Sequence, residues 1–279
     1  MIESNSISQM PQSTRTYDER LESGVIATTK LTRRFDGLVA VNDLTFSMGA
    51  GTIFGLLGPN GAGKSTLIKM LTTLLPPSSG TAIVAGFDIL SHIGYVSQML
   101  SADGELTGYE NLLISAKLYG LSRSDRAERI SQALEFMQLQ EAGHKLVKQY
   151  SGGMIRRLEI AQSMLHRPPV LFLDEPTVGL DPAAKHSVWQ RILDLKKELG
   201  TSVLMTTHDM EEANHLCDAI AFMHQGKLLA TGSLAELKTA LGPSANLDDV
   251  FIHYAGSSIA EGGTLRDVAQ TRHTAQRLE

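Results

Sequence analysis

Short apolar runs with glycine between them dominate the chain from residue 25 to about residue 99. Runs of this length are typical of β-strands. From about residue 105 to 165 the apolar positions change to a helical spacing, and two buried-type strands then flank one amphipathic helix. The predicted strands are VIATTKL, NDLTFSM, TIFGLLG, TAIVAG, IGYVSQ, PVLFLD and TSVLMTT, and the predicted helix between the last two is AAKHSVWQRILDLKKELG.

This order of strands and helices predicts an α/β fold. Alternating strands and helices favour a mostly parallel sheet covered by helices, into which the helical stretch is inserted. Both ends of the chain are polar and lack a periodic apolar pattern. We therefore expect a mobile N-terminal extension over residues 1–24, one domain over 25–255 with a helical insertion at about 100–165, and a polar tail over 256–279.

The composition is that of a folded globular protein, with 42% hydrophobic and 20% charged residues among 279. The formal charge of -5 offers no general attraction to nucleic acid, whose affinity depends largely on Lys and Arg, so no nucleic-acid partner is expected. The single cysteine, Cys217, has no partner for a disulfide within the chain, as suits a reducing compartment. No apolar run approaches the roughly 18 residues of a membrane span, so we expect another chain to hold this one at any membrane.

The segment GLLGPNGAGKSTLIKML carries the strongest chemical signal. Residues 58–65 fit the spacing G-x-x-x-x-G-K-[ST] between an apolar strand and an amphipathic helix, as a phosphate-binding loop requires. Glycine leaves room for backbone N–H groups to turn toward phosphate oxygens, and the helix N-terminus adds a partial positive charge. Lys64 is expected to reach the β and γ phosphates and Ser65 to ligate magnesium. The predicted nucleotide-binding residues of the loop are Gly58, Pro59, Asn60, Gly61, Ala62, Gly63, Lys64, Ser65 and Thr66.

Two carboxylates end the apolar strand in PPVLFLDEPTVGLD. Neighbouring strand residues point to opposite faces, so Asp174 and Glu175 can act together only if the chain turns there, and Pro176 is predicted to supply that turn. Asp174 is then expected to bind magnesium and Glu175 to polarise the attacking water, as phosphoryl transfer needs. A solvated acidic strand end is the alternative, which the phosphate loop earlier in the chain disfavours.

These motifs, together with YSGGM and TTHDMEEA, resemble those of the ATP-binding cassette (ABC) ATPases over about residues 25–240. The resemblance implies an ABC nucleotide-binding domain: a mixed P-loop core sheet with an antiparallel β subdomain and an inserted α-helical subdomain. It also implies ATP and Mg²⁺ as cofactors. By the same resemblance, two copies sandwich two MgATP and work with a separate integral-membrane permease, which places the chain at the cytoplasmic face of the membrane.

The resemblance also gives roles to residues whose local sequence leaves them ambiguous. Phe35 matches the aromatic residue that stacks on adenine, although a core position is the alternative. Gln98 matches the glutamine that senses magnesium and couples to the permease, and Asp181 matches the D-loop aspartate, which otherwise reads as a helix N-cap. His208 matches the switch histidine that contacts the γ-phosphate. The implied catalytic residues are Glu175, His208 and Gln98, and the implied magnesium ligands are Ser65, Gln98 and Asp174.

The signature segment begins at Ser151, Gly152 and Gly153 in YSGGMIRRLEIA. On its own it is a helix start with a serine N-cap, and the free N–H groups of such a start can bind an anion. By resemblance these residues close over ATP held by a second copy. Met154 either packs in an apolar stripe along the helix or contacts the nucleotide, and the sequence leaves both open.

The strings YSGGMIRRLEIA, NLDDVFIHYAG and TLRDVAQTRHTAQRLE resemble the drug-resistance exporter branch of the family, typified by daunorubicin exporters. This resemblance implies export of a drug-like, lipid or other hydrophobic compound. Two alternatives remain open: a soluble single-cassette ATPase not engaged in transport, and a sodium or polysaccharide exporter ATPase. By resemblance, a groove near Gln98 and SADGELTGYENLL receives the permease, and the short segment ILSH is expected to be a surface connection.

Overall fold

The structure is a computed structural model that describes residues 24–85, 93–239, 241–242 and 245–262. Apart from Gly24, the predicted extension over residues 1–24 lies outside these ranges. The ILSH connection and the part of the predicted tail after residue 262 also lie outside them.

Nine strands and eight α-helices are defined among the described residues. The strands are β1 (Ile26–Phe35), β2 (Leu38–Met48), β3 (Ile53–Leu57), β4 (Ser79–Val84), β5 (Ile93–Val96), β6 (Val170–Asp174), β7 (Ser202–Thr207), β8 (Ala219–His224) and β9 (Lys227–Ser233). The helices are α1 (Lys64–Leu71), α2 (Gly108–Leu118), α3 (Arg123–Phe136), α4 (Gly152–Met164), α5 (Pro182–Leu199), α6 (Met210–Leu216), α7 (Leu234–Thr239) and α8 (Leu247–Gly262). Short 3₁₀ turns span Gln140–Ala142 and Val147–Gln149.

Two sheets organise the described part of the chain. The smaller is antiparallel, in the order β2-β1-β4, and Ile26 lies opposite both Met48 and Val84. The larger follows the order β5-β6-β7-β3-β8-β9, in which neighbouring strands from β5 to β8 run parallel and β9 runs antiparallel at the edge. This confirms the predicted α/β architecture with a mixed core sheet, an antiparallel β subdomain and a helical insertion formed by α2, α3 and α4.

The core sheet separates two hydrophobic clusters. Because side chains alternate across a strand, β3 sends Ile53 and Leu57 into the cluster beneath the helical insertion and Phe54 and Leu56 into the cluster beneath the antiparallel sheet. Strands β3, β6 and β7 are buried along their whole length. Burial on both faces explains why their sequences are continuous apolar runs rather than alternating ones.

The hairpin of β8 and β9 is absent from the sequence prediction. Its two-residue turn consists of Gln225 and Gly226, with φ of +47° and +77°, as tight hairpin turns require. Gln-Gly is a weak turn signal compared with Asn-Gly, which is why the hairpin was missed. At the other end of the described chain, α8 runs through the predicted boundary between residues 255 and 256. Within the described residues, no helix combines the length and apolarity needed to cross a membrane.

Candidate active site

The loop between β3 and α1 is shaped by three glycines with positive φ. A Cβ atom at Gly58 would lie 2.1 Å from the carbonyl oxygen of Met223, and one at Gly63 would lie 2.2 Å from that of Ala40. Gly61, with φ of +79°, faces open space. Two of the glycines are therefore required by neighbouring protein backbone, and the third by its conformation alone.

The first turn of α1 has no capping side chain, because its N-cap residue is Gly63. Such a helix start presents N–H groups to an incoming anion. Lys64 is buried, and its Nζ donates to the carbonyl oxygens of Gly58 at 2.7 Å and Pro59 at 3.2 Å. Burial lowers the pKa of the Lys64 ammonium, and the nearby carboxylates of Glu175 and Asp174 partly oppose this.

Asp174 ends β6 and is held by hydroxyl groups from two other elements. Its Oδ1 accepts from Ser65 Oγ at 3.1 Å and from Thr206 Oγ1 at 2.6 Å. Thr206 lies opposite Asp174 in the parallel pairing of β6 and β7. The structure thus brings Ser65 and Asp174 together as predicted, and it adds Thr206, which the sequence did not single out.

The turn after β6 runs from Glu175 to Val178, where the Val178 N–H donates to the Glu175 carbonyl oxygen at 3.3 Å. Pro176 occupies its second position, which confirms the predicted turn at this proline. Glu175 has φ of +48°, a left-handed conformation uncommon outside glycine. Its N–H donates to the Thr206 carbonyl oxygen at 3.2 Å and to Thr206 Oγ1 at 3.0 Å. These two contacts hold the strained residue in place.

Three segments distant in sequence meet at the buried Glu175 carboxylate. Lys64 Nζ lies 3.5 Å from Oε1, and His208 Nδ1 lies 3.3 Å from the same oxygen. Gln98 Nε2 donates to Oε2 at 3.4 Å. His208 is half exposed, so the cluster opens to solvent on that side, beside a pocket of about 230 Å³ lined by Glu175, His208, Asp209 and neighbouring residues.

The signature lies against residues that flank Asp181, the predicted D-loop residue. Ser151 Oγ accepts from the Met154 N–H at 3.3 Å and caps α4, and Asp181 Oδ1 accepts from the Ala184 N–H at 3.0 Å and caps α5. A Cβ atom at Gly153 would lie 2.7 Å from the Ala184 side chain, whereas one at Gly152 would meet only a Leu180 methyl at 3.2 Å.

Phe35 and Met154 are the two residues for which the sequence allows either core packing or contact with a nucleotide. Phe35, at the end of β1, is 42% exposed and is therefore not a core residue, and the Arg33 guanidinium lies 4.6 Å from its ring centroid. Met154 is partly buried and packs against the core cluster beneath the helical insertion. Packing thus accounts for Met154, although contact with a nucleotide is untested.

Comparison with known proteins identifies the family. Residues 41–178 match the family model for ABC transporters. The chain is 44% identical over 224 residues to the daunorubicin/doxorubicin resistance ATP-binding protein DrrA of Streptomyces peucetius, an alignment that covers 78% of this chain and 68% of the relative. The chain belongs to the ABC transporter family. It is also 39% identical over 241 residues to the Nod factor export ATP-binding protein I of Sinorhizobium fredii, covering 82% of this chain and 70% of that relative.

A solved structure described as the ATP-binding subunit of an ABC transporter superimposes on this ABC ATPase with a TM-score of 0.73 at 28% identity. The alignment covers 83% of this chain and 99% of the solved one. The chain spans about two thirds of the length of each of the two relatives named above.

Sequence reasoning missed two kinds of residue in this ABC ATPase. Thr206 stands two positions before His208, and the double threonine at the end of an apolar strand was the available signal. Arg156 and Glu159, on the helix that follows the signature, are buried and charged. Their helical spacing alone does not reveal that they face the protein interior.

Proposed function

We propose that the chain is the ATP-hydrolysing subunit of an exporter, in which two copies sandwich two MgATP and drive export through a separate membrane permease. The observation that carries the proposal is the convergence on Glu175 of Lys64, Gln98 and His208. A buried carboxylate held by three polar side chains suits a group that polarises an attacking water.

Residues 58–66 would bind the triphosphate. Lys64 would bind the β and γ phosphates, whose oxygens would replace Glu175 Oε1 as the partner of its ammonium. The uncapped start of α1 adds N–H donors. Phe35 is exposed and would stack on the adenine base.

Magnesium is the proposed metal, with Ser65, Asp174 and Gln98 as the residues that would hold it. Their hydroxyl, carboxylate and amide oxygens are the hard ligands that Mg²⁺ prefers. Ser65 Oγ and Asp174 Oδ1 already lie 3.1 Å apart, and Thr206 fixes the same carboxylate. When bound, the ion neutralises charge on the phosphate oxygens.

The catalytic roles follow from the contacts of Glu175. Its carboxylate would accept a hydrogen bond from the attacking water, and Gln98 and His208 orient it from opposite oxygens. His208 is half exposed, which leaves its ring free to reach the γ-phosphate. The left-handed backbone at Glu175 supports this reading, because conformational strain concentrates at functional sites.

The proposed second copy accounts for the signature. Ser151, Gly152 and Gly153 start α4 on the Asp181 side of the domain, and none of their described contacts reaches Glu175 or Lys64. A helix start that can bind an anion and makes no described contact with its own phosphate loop would be completed by the nucleotide of a partner copy.

The permease partner is proposed from the surface beside Gln98. Met99 and Leu100 follow it directly and are 81% and 51% exposed, an apolar surface that a partner would cover. The chain would then lie peripherally at the cytoplasmic face of the membrane. Of the two relatives named above, one is a daunorubicin/doxorubicin resistance protein and the other a Nod factor export protein, which favours a drug-like, lipid or other hydrophobic cargo for this chain.

Reconstitution tests the proposal. The chain and the membrane protein encoded beside it would be placed in vesicles, and ATP-dependent movement of daunorubicin would be followed by its fluorescence, with Glu175→Gln as the inactive control. ATP hydrolysis without movement of any hydrophobic probe would favour a soluble ATPase. Absence of Mg²⁺-dependent hydrolysis in the complex would overturn the proposal.

A further inference from the structure

We infer that Arg156 and Glu159 are positioning residues that fix the loop at residues 97–101, which contains Gln98, to the helix that begins at the signature. Both side chains come from α4, one turn apart, and are only 2% and 4% exposed. The inference rests on the proposed function, because Gln98 is the loop residue that contacts the proposed catalytic carboxylate.

Arg156 holds the start of this loop. Its Nη1 donates to the Ser97 carbonyl oxygen at 2.7 Å, and its Nη2 donates to the Gln98 carbonyl oxygen at 2.8 Å. A guanidinium presents these donors in a rigid planar fork. Two successive carbonyl groups are therefore fixed together, and with them the direction of the backbone at Gln98.

Glu159 holds the end of the loop. Its Oε1 accepts from the Ser101 N–H, and also from Ser101 Oγ at 3.2 Å. Its Oε2 lies 3.1 Å from Arg156 Nη1. Burial lowers the pKa of Arg156, and the Glu159 carboxylate opposes that shift.

The charged pair and the loop therefore stabilise each other. A buried ion pair is costly unless further hydrogen bonds reach its charges, and here the loop backbone supplies them to Arg156 and to Glu159 Oε1. Glu159 Oε2 makes no hydrogen bond among the described residues and has the Arg156 guanidinium as its ionic partner. If the loop moved away, Arg156 and Glu159 would lose these hydrogen bonds to the loop backbone.

The anchored loop connects an exposed apolar surface to Gln98 and to the signature helix. Met99 and Leu100 lie exposed between the two anchor points, while Gln98 Nε2 reaches Glu175 Oε2 at 3.4 Å. The anchoring helix α4 starts at the signature. A displacement imposed on the exposed loop is thus transmitted to Gln98 and to the signature helix together, rather than absorbed by a flexible loop.

Hydrogen exchange and kinetics on the full chain test the inference. Arg156→Lys keeps the positive charge and removes the planar fork. We expect amide exchange at residues 97–101 to become about tenfold faster and kcat to fall about tenfold, while the Kd for ATP stays within about twofold. Glu159→Gln should speed exchange mainly at Ser101.

Arg191→Lys is the matched control. Arg191 and Asp194 form a pair of the same spacing on α5, with 2.7 Å between Nη2 and Oδ2, and Arg191 Nη1 donates to the Phe136 carbonyl oxygen at 3.1 Å. This variant should leave exchange at residues 97–101 and kcat within about twofold of the unmodified chain.

Unchanged exchange at residues 97–101 in Arg156→Lys, or equal acceleration in Arg191→Lys, overturns the inference. If Arg156→Lys fails to fold, Glu159→Gln supplies the same comparison at Ser101. If the unmodified chain hydrolyses no ATP, the proposed function fails, and the exchange measurements still decide whether the pair holds the loop.

Discussion

Lys64 Nζ lies 3.5 Å from Glu175 Oε1, and both side chains are buried. The cation expected to bind phosphate and the carboxylate expected to polarise water therefore neutralise each other in this structure. Burial lowers the pKa of Lys64, and Glu175 opposes this shift. Removing the Glu175 carboxylate would therefore change the electrostatic environment of Lys64. In the proposed function, a bound triphosphate would take over Lys64 and leave the Glu175 side chain without this cation.

Glu175→Gln should separate binding from hydrolysis. The amide keeps the size of the side chain but removes both the competing charge for Lys64 and the group that polarises water. We expect ATP to bind with equal or higher affinity, and hydrolysis to fall by about a hundredfold or more, the usual contribution of a general base. Calorimetry with ATP and a phosphate-release assay measure the two effects. A wild-type rate in this variant would exclude Glu175 as the base.

Lys64→Ala should weaken binding itself. Loss of one charge-assisted hydrogen bond of about 1.5–3 kcal/mol corresponds to a roughly ten- to hundredfold lower affinity for ATP. Lys69→Ala is the control, because Lys69 lies exposed on the same helix and should leave affinity unchanged. Equal ATP affinity in both variants, measured by calorimetry, would contradict the phosphate-loop assignment.

The sequence predicted the phosphate loop and the acidic strand end because their chemistry is local. Residues 58–65 need only the strand before them and the helix after them, and both are visible as apolar patterns. The convergence on Glu175 is not local, since Gln98 and His208 reach it from separate strands. Their roles came from resemblance to a family, and the structure supplies the contacts.

The missed features depend on backbone conformation and burial. Pro176 signalled the turn after β6, but nothing in the sequence signalled that Glu175 adopts a left-handed conformation held by Thr206. From the sequence alone, Arg156 and Glu159 are expected on a solvent-exposed face of the helix, because charged residues are rarely fully buried. Only the loop that packs on them shows that this face points inward.

Stability should depend on the charge of Asp209 in acid. Burial by itself would raise the pKa of Asp209, but the Lys185 ammonium and the N–H groups of Glu212 and Glu211 outweigh it and hold the pKa below its ordinary value of 3.8. A carboxyl group with a lowered folded-state pKa stabilises the fold above its unfolded-state pKa, and that contribution is lost as the pH falls through the folded-state value.

Asp209→Asn should therefore lower the urea midpoint at pH 7, and the difference from the unmodified chain should shrink as the pH falls below 3.8. Urea unfolding followed by circular dichroism across that range measures the effect. Glu211→Gln, on the exposed side of the same helix turn, is the control for a simple change of net charge. A difference that stays constant at all pH values would show that the charge of Asp209 does not stabilise the fold.

The two signature glycines should respond differently to alanine. At Gly153 the new methyl group would lie 2.7 Å from the Ala184 side chain in the packed contact between α4 and α5. Such overpacking destabilises a fold by about 1–3 kcal/mol. Gly152 is exposed, and its methyl group would meet only the flexible end of Leu180 at 3.2 Å, so thermal stability should change little.

The same two alanine variants distinguish a signature that only starts a helix from one that binds a nucleotide. If the signature binds the nucleotide of a second copy, Gly152→Ala should suppress turnover by about tenfold or more at unchanged melting temperature, because the methyl group would add bulk at the helix start that binds the phosphates. Gly153→Ala should instead lower the melting temperature. Thermal unfolding and ATPase assays on both variants, with Ser151→Ala as a third that loses an N-cap worth about 1 kcal/mol, check this. Full turnover in a stable Gly152→Ala protein would leave the signature as a helix cap.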